Sequence, residues 1–323
     1  MAYVPAPGYQ PVYNPPLPYV TPVAGGLQPG MSVYVQGTVP HHTKRFRVNF
    51  ACGQQKGADV ALHFNPRFDS GDKVVLNSFQ GSWAREEHKP MPFHKGQHFE
   101  VVFIITPQGY QITVNRAPYC EFQHRIPPER VQVVDVDGDV QLQSINIIGG
   151  NMMGGSGMSY PQPGMRSMQP NMPLPPTSLP MMAGPASYHP QVPYVGNIPG
   201  GLVSKKTVVV KGLVPQGAKS FHINFKMGYS KDIALHINPR LNENTVVRNS
   251  FLQGRWGPEE RELPFNPFQH GQYFDISIRC GNQRFKVFVN GQPLFNYNHR
   301  VHNFQQIDML EINGDVALSY VQF

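Results

Sequence analysis

Three polar residues spaced two apart open a cluster of side chains that could bind a ligand. His63, Asn65 and Arg67 lie at i, i+2 and i+4 of a short segment that otherwise has the composition of a β-strand. Residues at this spacing point to one face of a strand, so an imidazole, an amide and a guanidinium would stand side by side. A strand that only filled a core would not need these groups, and the spacing therefore predicts a binding surface.

Further polar residues and one tryptophan follow at matched places in two parts of the chain. The first set is His63, Asn65, Arg67, Asn77, Trp83, Glu86 and His88. The second set is His236, Asn238, Arg240, Asn249, Trp256, Glu259 and Arg261. Because adjacent strands bring such segments together, each set predicts one polar patch beside a single exposed indole.

Directional polar groups beside a flat apolar ring suit a carbohydrate. The charged and amide groups would bond the hydroxyls of a sugar, while the indole would stack against its apolar C–H face. A site that bonds one hydroxyl rejects the epimer lacking it, because its own polar groups would be left unpaired. An ion-pair network without a ligand would also explain the polar residues, but it offers no place for a repeated tryptophan.

The two sets belong to a duplicated segment. ALHFNPR at 61–67 returns as ALHINPR at 234–240, and VVLNSFQGSW at 74–83 returns as VVRNSFLQGRW at 246–256. The shorter echoes RFRVNF and SFHINF, and VNRAP and VNGQP, keep the same order. Small changes in spacing between the copies match one-residue insertions in loops, so we expect two domains of one fold.

Each copy consists of short segments in which apolar and polar residues alternate. Enrichment in Val, Ile, Phe and Tyr, with Gly, Pro and Asn between the segments, is typical of antiparallel strands. We therefore predict an all-β fold class with two jelly-roll-like antiparallel β-sandwiches. The predicted divisions are a Pro/Tyr-rich disordered leader at 1–17, domains at 18–150 and 193–323, and a flexible Pro/Gly/Met-rich linker at 151–192.

The motif H-x-N-P-R, followed by V-x-N and W-x-x-E-x-R, resembles the carbohydrate-recognition signature of the galectins. It reads HFNPR, VLN and WAREEH in the first copy, and HINPR, VRN and WGPEER in the second. Two copies joined by a Pro/Gly-rich linker are similar to the tandem-repeat class of that family. The resemblance covers both domains and implies a lectin with two β-galactoside sites.

The resemblance also implies a role for each motif residue. In the first copy, the axial 4-hydroxyl of galactose would be bound by His63, Asn65 and Arg67, and the 6-hydroxyl by Asn77 and Glu86, with Trp83 under the ring. Arg67 would also reach the ring oxygen and the neighbouring sugar. In the second copy the same roles would fall to His236, Asn238, Arg240, Asn249, Glu259 and Trp256, with Arg261 pairing with carboxylates and contacting the penultimate sugar.

One position departs from the motif. His88 stands where the motif has its last arginine, and Lys89 follows it. Histidine lacks the guanidinium fork and changes charge near neutral pH. We therefore predict that the first domain differs in affinity or preference, and that it favours anionic or modified galactosides.

Composition argues against several other classes. The chain has a formal net charge of +7, but its basic residues are scattered, so no nucleic-acid partner is expected. No Cys/His spacing typical of metal binding occurs, and we expect neither a metal nor a cofactor. Glycoside hydrolysis needs two carboxylates around the bond, whereas Glu86 and Glu87 would face opposite sides of a strand. No enzyme activity is expected.

Two linked sites predict crosslinking of β-galactoside-terminated glycans on glycoproteins and glycolipids, with the membrane surface reached only through glycolipids. The sequence leaves a homo-oligomer open. Three sparse cysteines and an N-terminus unlike a signal peptide favour cytoplasmic synthesis, and the resemblance implies export without a signal peptide and action outside the cell. The alternative is a β-sandwich protein-interaction module that does not use the sugar sites.

Overall fold

The computed structural model describes residues 9–149 and 186–323. These two ranges contain no α-helix, and their alternating segments form 24 strands and three short 3₁₀ turns. The all-β prediction is confirmed. Within the described residues, no helix is long and apolar enough to cross a bilayer.

The N-terminal domain contains the first twelve strands. They are β1 (Val12–Tyr13), β2 (Tyr19–Pro22), β3 (Ser32–Thr38), β4 (Phe46–Ala51), β5 (Val60–Arg67), β6 (Lys73–Phe79), β7 (Glu87–Pro90), β8 (His98–Ile105), β9 (Gly109–Val114), β10 (Ala117–Gln123), β11 (Val133–Gly138) and β12 (Gln141–Ile148). They form a front sheet in the order β2-β11-β4-β5-β6-β7 and a rear sheet in the order β1-β12-β3-β8-β9-β10.

The C-terminal domain repeats this arrangement. Its strands are β13 (Ser187–Tyr188), β14 (Tyr194–Asn197), β15 (Thr207–Leu213), β16 (Phe221–Lys226), β17 (Ile233–Arg240), β18 (Thr245–Leu252), β19 (Arg255–Trp256), β20 (Tyr273–Cys280), β21 (Arg284–Val289), β22 (Gln292–Asn298), β23 (Met309–Gly314) and β24 (Ala317–Gln322). The front sheet is β14-β23-β16-β17-β18-β19, and the rear sheet is β13-β24-β15-β20-β21-β22.

An apolar core fills the space between the front and rear sheets of each domain. Phe46 of β4 stacks on Phe99 of β8 with ring centroids 5.5 Å apart, and Phe221 stacks on Phe274 at the same 5.5 Å in the second domain. The inward-facing residues of both sheets therefore interdigitate in the same way in the two copies, which leaves the outer face of each front sheet to carry polar groups.

Register places the polar cluster at the centre of the front sheet. β5 pairs with β4 on one side and with β6 on the other, and His63 lies opposite both Asn49 and Asn77. In the second domain His236 lies opposite Asn224 and Asn249. The sheet is antiparallel throughout, so these cross-strand neighbours share one face.

The predicted leader and linker are shorter in the structure. Residues 1–17 were expected to be disordered, yet Val12–Tyr13 pairs with β12, and Tyr9 is fully buried. Likewise Ser187–Tyr188, within the predicted linker, pairs with β24. Each rear sheet offers an open edge to which an extended segment can hydrogen-bond, and the leader tyrosines bury aromatic area there. The rest of the predicted leader, 1–8, and of the predicted linker, 151–185, lies outside the described residues.

Candidate functional site

The imidazole, amide and guanidinium of β5 form one connected hydrogen-bonded row. Arg67 donates from Nε to Oδ1 of Asn65 over 2.7 Å, and Asn65 donates from Nδ2 to the Phe46 carbonyl over 2.5 Å. The buried Asn65 is thereby fixed in one amide orientation. The row holds the Arg67 guanidinium in place before any ligand arrives.

A partner on the next strand sets the tautomer of His63. Asn49 donates from Nδ2 to Asp135 over 3.2 Å, so its Oδ1 faces Nδ1 of His63 at 2.6 Å. That oxygen is an acceptor, and Nδ1 of the ring must therefore carry the proton. Nε2 is left as a hydrogen-bond acceptor that faces the surface groove lined by His63, Arg67 and Trp83.

Burial keeps His63 neutral. Burial, together with the nearby Arg67 charge, lowers the pKa of the imidazole to about 4. At neutral pH the ring is therefore uncharged and offers its Nε2 lone pair to a hydroxyl donor.

The tryptophan lies beside this row and is open to solvent. Trp83 is 54% exposed, with its ring centroid 4.9 Å from that of His63 and 5.3 Å from that of Phe79. Asn77 donates to the carbonyl of Ala84 over 2.9 Å. This bond ties the loop carrying the indole to β6, so the ring is held as a plate at the edge of the polar row.

The carboxylate of Glu86 also lines the groove. Glu86 accepts from Arg67 over 3.1 Å and contacts His88 at 2.9 Å. The hydrogen bond with His88 and the positive charge of Arg67 hold the pKa of Glu86 below its ordinary value. Glu87 faces the other way, where it accepts from Arg125 over 2.7 Å. Only one of the adjacent carboxylates therefore faces the groove.

The C-terminal domain reproduces the inner part of the groove, by which we mean the histidine, asparagine and arginine of the polar row and the tryptophan beside them. Arg240 donates to Asn238 over 2.8 Å, Asn238 donates to the Phe221 carbonyl over 2.6 Å, and His236 lies 2.6 Å from Asn224. Burial, followed by the charges of His222 and Arg240, lowers the pKa of His236 to about 4. Trp256 is 49% exposed, and its ring centroid is 4.8 Å from that of His236.

The rim of each groove is the exposed carboxylate and the side chains that pair with it. The rim of the second groove carries more charged groups than the rim of the first. Glu259 accepts from Arg240 over 2.9 Å and from Arg261 over 2.7 Å. Arg261 also donates to Glu243 over 2.9 Å, a residue of the short turn that follows β17. The bond from Arg261, with help from Arg240, holds the pKa of Glu259 below its ordinary value.

The structure thus brings the members of each predicted set together around one groove. In the first domain, His63, Asn65, Arg67, Asn77, Trp83 and Glu86 line the groove directly, and His88 reaches it through Glu86. In the second, His236, Arg240, Asn249, Trp256 and Glu259 line it, while Asn238 lies buried under Arg240, and Arg261 reaches it through Glu259.

Sequence reasoning missed the residues that hold the predicted set. Asn49 and Asn224 fix the histidine tautomers, and both lie in the repeated V/I-N-F segment, which was the available signal. Arg125 and Arg300 bond Asn77 and Asn249 over 3.3 and 3.0 Å, and they are the repeated H-R pair. Both repeats were visible as sequence, but nothing in them showed that they would contact the polar row.

Two further arginines line only the first groove. Arg45 and Arg47 lie at its edge with Asp137. Arg45 lies opposite Arg67, where the second domain has Ser220 opposite Arg240. Arg47 lies opposite Asp137, where the second domain has His222 opposite Asn313. The two grooves therefore differ in charge next to their shared inner part. Among the described residues, no group of histidine, cysteine and acidic side chains is placed to hold a metal.

An all-β sandwich whose front sheet carries a polar row, an exposed indole and a carboxylate paired with arginine defines a carbohydrate-binding module. The family model of the galactoside-binding lectins matches residues 18–147 and again 193–323. The chain therefore belongs to the galactoside-binding lectins, as a tandem-repeat galectin, and the sequence resemblance is confirmed.

Relatives match over the whole chain. Human galectin-4 is 56% identical over 328 residues and pig galectin-4 is 57% identical over 328 residues, with 100% of each chain covered in both cases. Among solved structures, sheep galectin-11 in complex with glycerol matches at 32% identity and a TM-score of 0.39, covering 41% of this chain and 98% of that one.

Proposed function

We propose that the protein is a bivalent lectin with one β-galactoside site on each front sheet. The observation that carries this proposal is the duplicated inner groove, in which a neutral histidine acceptor, a fixed amide–guanidinium pair and an exposed indole recur with matching contacts. The family to which the chain belongs is described by its binding of galactosides, and the groove chemistry fits that ligand.

Each group has a partner on the sugar in this proposal. The 4-hydroxyl donates to Nε2 of His63 and accepts from Arg67, whose position is set by Asn65. The 6-hydroxyl contacts Asn77 and Glu86, and the C–H face lies on the exposed indole. The second site uses His236, Asn238, Arg240, Asn249, Glu259 and Trp256 in the same roles. A sugar whose 4-hydroxyl is equatorial leaves the row unpaired, which gives the site its selectivity.

Binding without catalysis is the activity we assign to both sites. Cleavage of a glycosidic bond needs a protonated carboxyl as general acid and a second carboxylate about 5–10 Å away. Glu86 and Glu259 have lowered pKa values and stay ionised at neutral pH. Their sequence neighbours Glu87 and Glu260 are bonded to Arg125 and Arg300 on the other side of the strand.

Anionic or modified galactosides are the proposed preference of the first site. Arg45 and Arg47 place positive charge beside this groove, in addition to His88 and Lys89, which pair with Glu86 and Glu87. Arg45 is bonded to Asp69 and Arg47 to Asp137, so an anionic ligand would compete with these carboxylates. Binding of sulfated and unsulfated lactosides to the isolated domain, at low and high salt, tests the preference; equal affinities at every salt concentration overturn it.

Two tethered sites crosslink glycans. A single shallow groove binds weakly, but once one site is occupied the second meets its glycan at an effective concentration of roughly millimolar. The partners we propose are galactose-terminated glycoproteins and glycolipids, with the membrane surface contacted only through glycolipids and with a role in adhesion or glycan organisation at the cell surface. Cytoplasmic synthesis and export without a signal peptide belong to the same proposal.

Calorimetric titration of lactose, with maltose as the control sugar, tests the assignment. Trp83→Ala and Trp256→Ala each remove one indole, and the double variant removes both. Two lactose sites in the wild type, each lost with its own tryptophan, support a bivalent lectin. No lactose response in the wild type overturns the sugar assignment and favours a protein-interaction module.

A further inference from the structure

The central strands of both rear sheets are buried on both faces. A β-sandwich covers only the inner face of each sheet, and the outer face ordinarily meets water. In β3 and β8 of the N-terminal domain, however, nearly every residue is buried, and the same holds for β15 and β20 of the C-terminal domain. A further layer must therefore cover the outer face of these central strands.

The layer that covers each rear sheet is the other domain. One buried apolar cluster combines residues from both halves of the chain: Tyr9, Tyr34, Val102, Ile148, Val209 and Tyr320. Tyr320 of the second domain meets Tyr34 of the first edge-to-face, with ring centroids 6.0 Å apart. Aromatic pairs of this kind add to the gain from the apolar area they bury.

Matched polar pairs face each other inside this interface. On the first rear sheet, Gln36 donates to Glu100 over 2.6 Å, and at the corresponding strand positions of the second, Lys211 donates to Asp275 over 3.1 Å. All four side chains are at most 4% exposed. Burial raises the pKa of Glu100, and the charge of Lys211, from the other domain, opposes that rise. Because buried charges are costly unless they are paired, each domain supplies a partner for the charged group that the interface buries.

The leader closes the interface over the second domain. Tyr9 and Tyr13 both donate their hydroxyls to the Asp275 carboxylate that also accepts from Lys211. The Tyr9 ring stacks on Tyr320 with ring centroids 6.0 Å apart. At Gly291, a Cβ atom would lie 2.5 Å from the Tyr13 ring, so the absence of a side chain there makes room for the leader.

The equivalent hairpin of the first domain, at Asn115 and Arg116, contacts the second domain. Arg116, which replaces the Gly291 of the second copy, donates to the Leu318 carbonyl over 3.0 Å, and Tyr273 donates to Asn115 over 3.2 Å. The same position of the repeat therefore has a different role in each hairpin. Arg116 donates a hydrogen bond to the other domain, whereas Gly291 leaves space for Tyr13 of the leader.

We propose that the two rear sheets form a built-in interface, closed by Tyr9 and Tyr13, which holds the two sugar grooves facing in opposite directions. Each groove lies on the outer face of a front sheet, and the rear sheets lie between the two front sheets. The protein therefore joins two opposed glycan-bearing surfaces rather than two glycans on one surface. The joining of surfaces rests on the proposed sugar binding, whereas the docking of the domains does not.

Small-angle X-ray scattering of full-length variants tests the docking. Lys211→Glu places a third carboxylate beside Glu100 and Asp275, and Lys286→Glu is the control on an exposed position of the same rear sheet. A double Tyr9→Ala, Tyr13→Ala variant breaks the closure from outside both domain cores, so it remains informative where Lys211→Glu fails to fold. We expect the radius of gyration to rise by on the order of 5–10 Å in the two interface variants and to stay unchanged in the control. An expanded wild type, or interface variants as compact as the wild type, overturns the proposal.

Vesicles carrying a lactosyl lipid test the functional consequence. We expect the wild type to join vesicles into aggregates, and the double tyrosine variant to bind the vesicles equally well but to aggregate them less per bound molecule. Equal aggregation by both overturns the claim about opposed surfaces. Lactose calorimetry on each variant separates the two proposals: absent lactose binding contradicts the lectin assignment alone, whereas intact binding with no docking contradicts this inference alone.

Discussion

The two grooves share an inner part and differ at the rim. In the inner part, the histidine lies 2.6 Å from its asparagine in both domains, and the arginine donates to the buried amide over 2.7 Å in one and 2.8 Å in the other. At the rim, Glu86 is held by a guanidinium and an imidazole, and Glu259 by two guanidiniums. The inner part is set by strand register, whereas the rim is set by exposed side chains.

This division indicates which property each part controls. The inner contacts involve buried or half-buried groups whose loss leaves a partner unsatisfied, so they should determine whether the site binds galactose at all. The rim pairs are exposed, and exposed ion pairs are worth about 0–1 kcal/mol. The rim should therefore adjust affinity and the preference for the neighbouring sugar without deciding the specificity.

The largest expected effect comes from the arginine of the inner part. Arg67→Met and Arg240→Met each remove the donors to the buried amide and to the carboxylate. Hydrogen bonds that involve charged groups are worth about 1.5–3 kcal/mol, so we expect lactose affinity at the altered site to fall by roughly 10- to 150-fold. Lactose calorimetry of each full-length variant, altered in one domain only, measures this loss.

Arg130→Met is the matched control, because it removes a guanidinium that pairs with Asp59 outside the groove. It should leave lactose binding unchanged. A loss confined to one of the two domains would contradict the idea that the inner parts are equivalent.

Acid should weaken both sites in the same pH range. The pKa of His63 and of His236 is lowered to about 4, so both rings are neutral acceptors at higher pH, and protonation removes the Nε2 lone pair as pH falls through about 4. We expect lactose affinity to stay level between neutral pH and about 5.5 and then to fall. Titrations over this range measure the profile; a decline centred near the ordinary histidine pKa of about 6.5 would contradict the assigned acceptor role.

The same shift makes a statement about stability. A histidine whose pKa is lowered by folding favours the neutral form in the native state, so its contribution is fully present above the unfolded pKa and declines as pH falls from about 6.5 toward 4. Folding should therefore weaken over a pH range in which lactose binding is still level. Thermal unfolding and lactose titration on the same samples distinguish the two effects.

Exchange of the rim residues should have a smaller effect. His88→Arg gives the first domain the second guanidinium that its motif lacks, and Arg261→His gives the second domain the imidazole. Because both positions are about half exposed, we expect changes of about five-fold or less, in opposite directions. Binding of lactose and of a longer galactoside measures them, and a change that reverses the choice between lactose and maltose would show that the rim does decide specificity.

Much of the fold was predictable because it depends on local patterns. Alternating segments, turns and the internal repeat indicated two antiparallel sandwiches, and the i, i+2, i+4 spacing placed His63, Asn65 and Arg67 on one face. Strand alternation and side-chain direction follow from backbone geometry alone, so these predictions needed no knowledge of tertiary contacts.

Contacts between distant segments were beyond the same reasoning. The tautomer of His63 depends on Asn49 and Asp135 from two other strands. The sequence of a strand does not show which other strands it will pair with. The leader was expected to be disordered because of its proline content, yet Tyr9 and Tyr13 are bonded to Asp275 of the other domain. The composition of a segment indicates how much apolar area it can bury by itself. It does not show that another domain will provide a surface on which the segment can pack.

The smallest expected effect concerns the residue that distinguishes the second rim. Glu243 pairs with Arg261 at 2.9 Å and with Arg240 at 3.4 Å, so Glu243→Gln removes one charge from the network while the bonds to Glu259 remain. Exposed pairs contribute about 0–1 kcal/mol, and we expect lactose affinity to change by about two-fold or less. Glu262→Gln, on the same rim segment, is the control for loss of one negative charge. A loss from Glu243→Gln as large as that from Arg240→Met would mean that the network acts as a unit, and the boundary between inner part and rim would then have to be drawn outside Glu243.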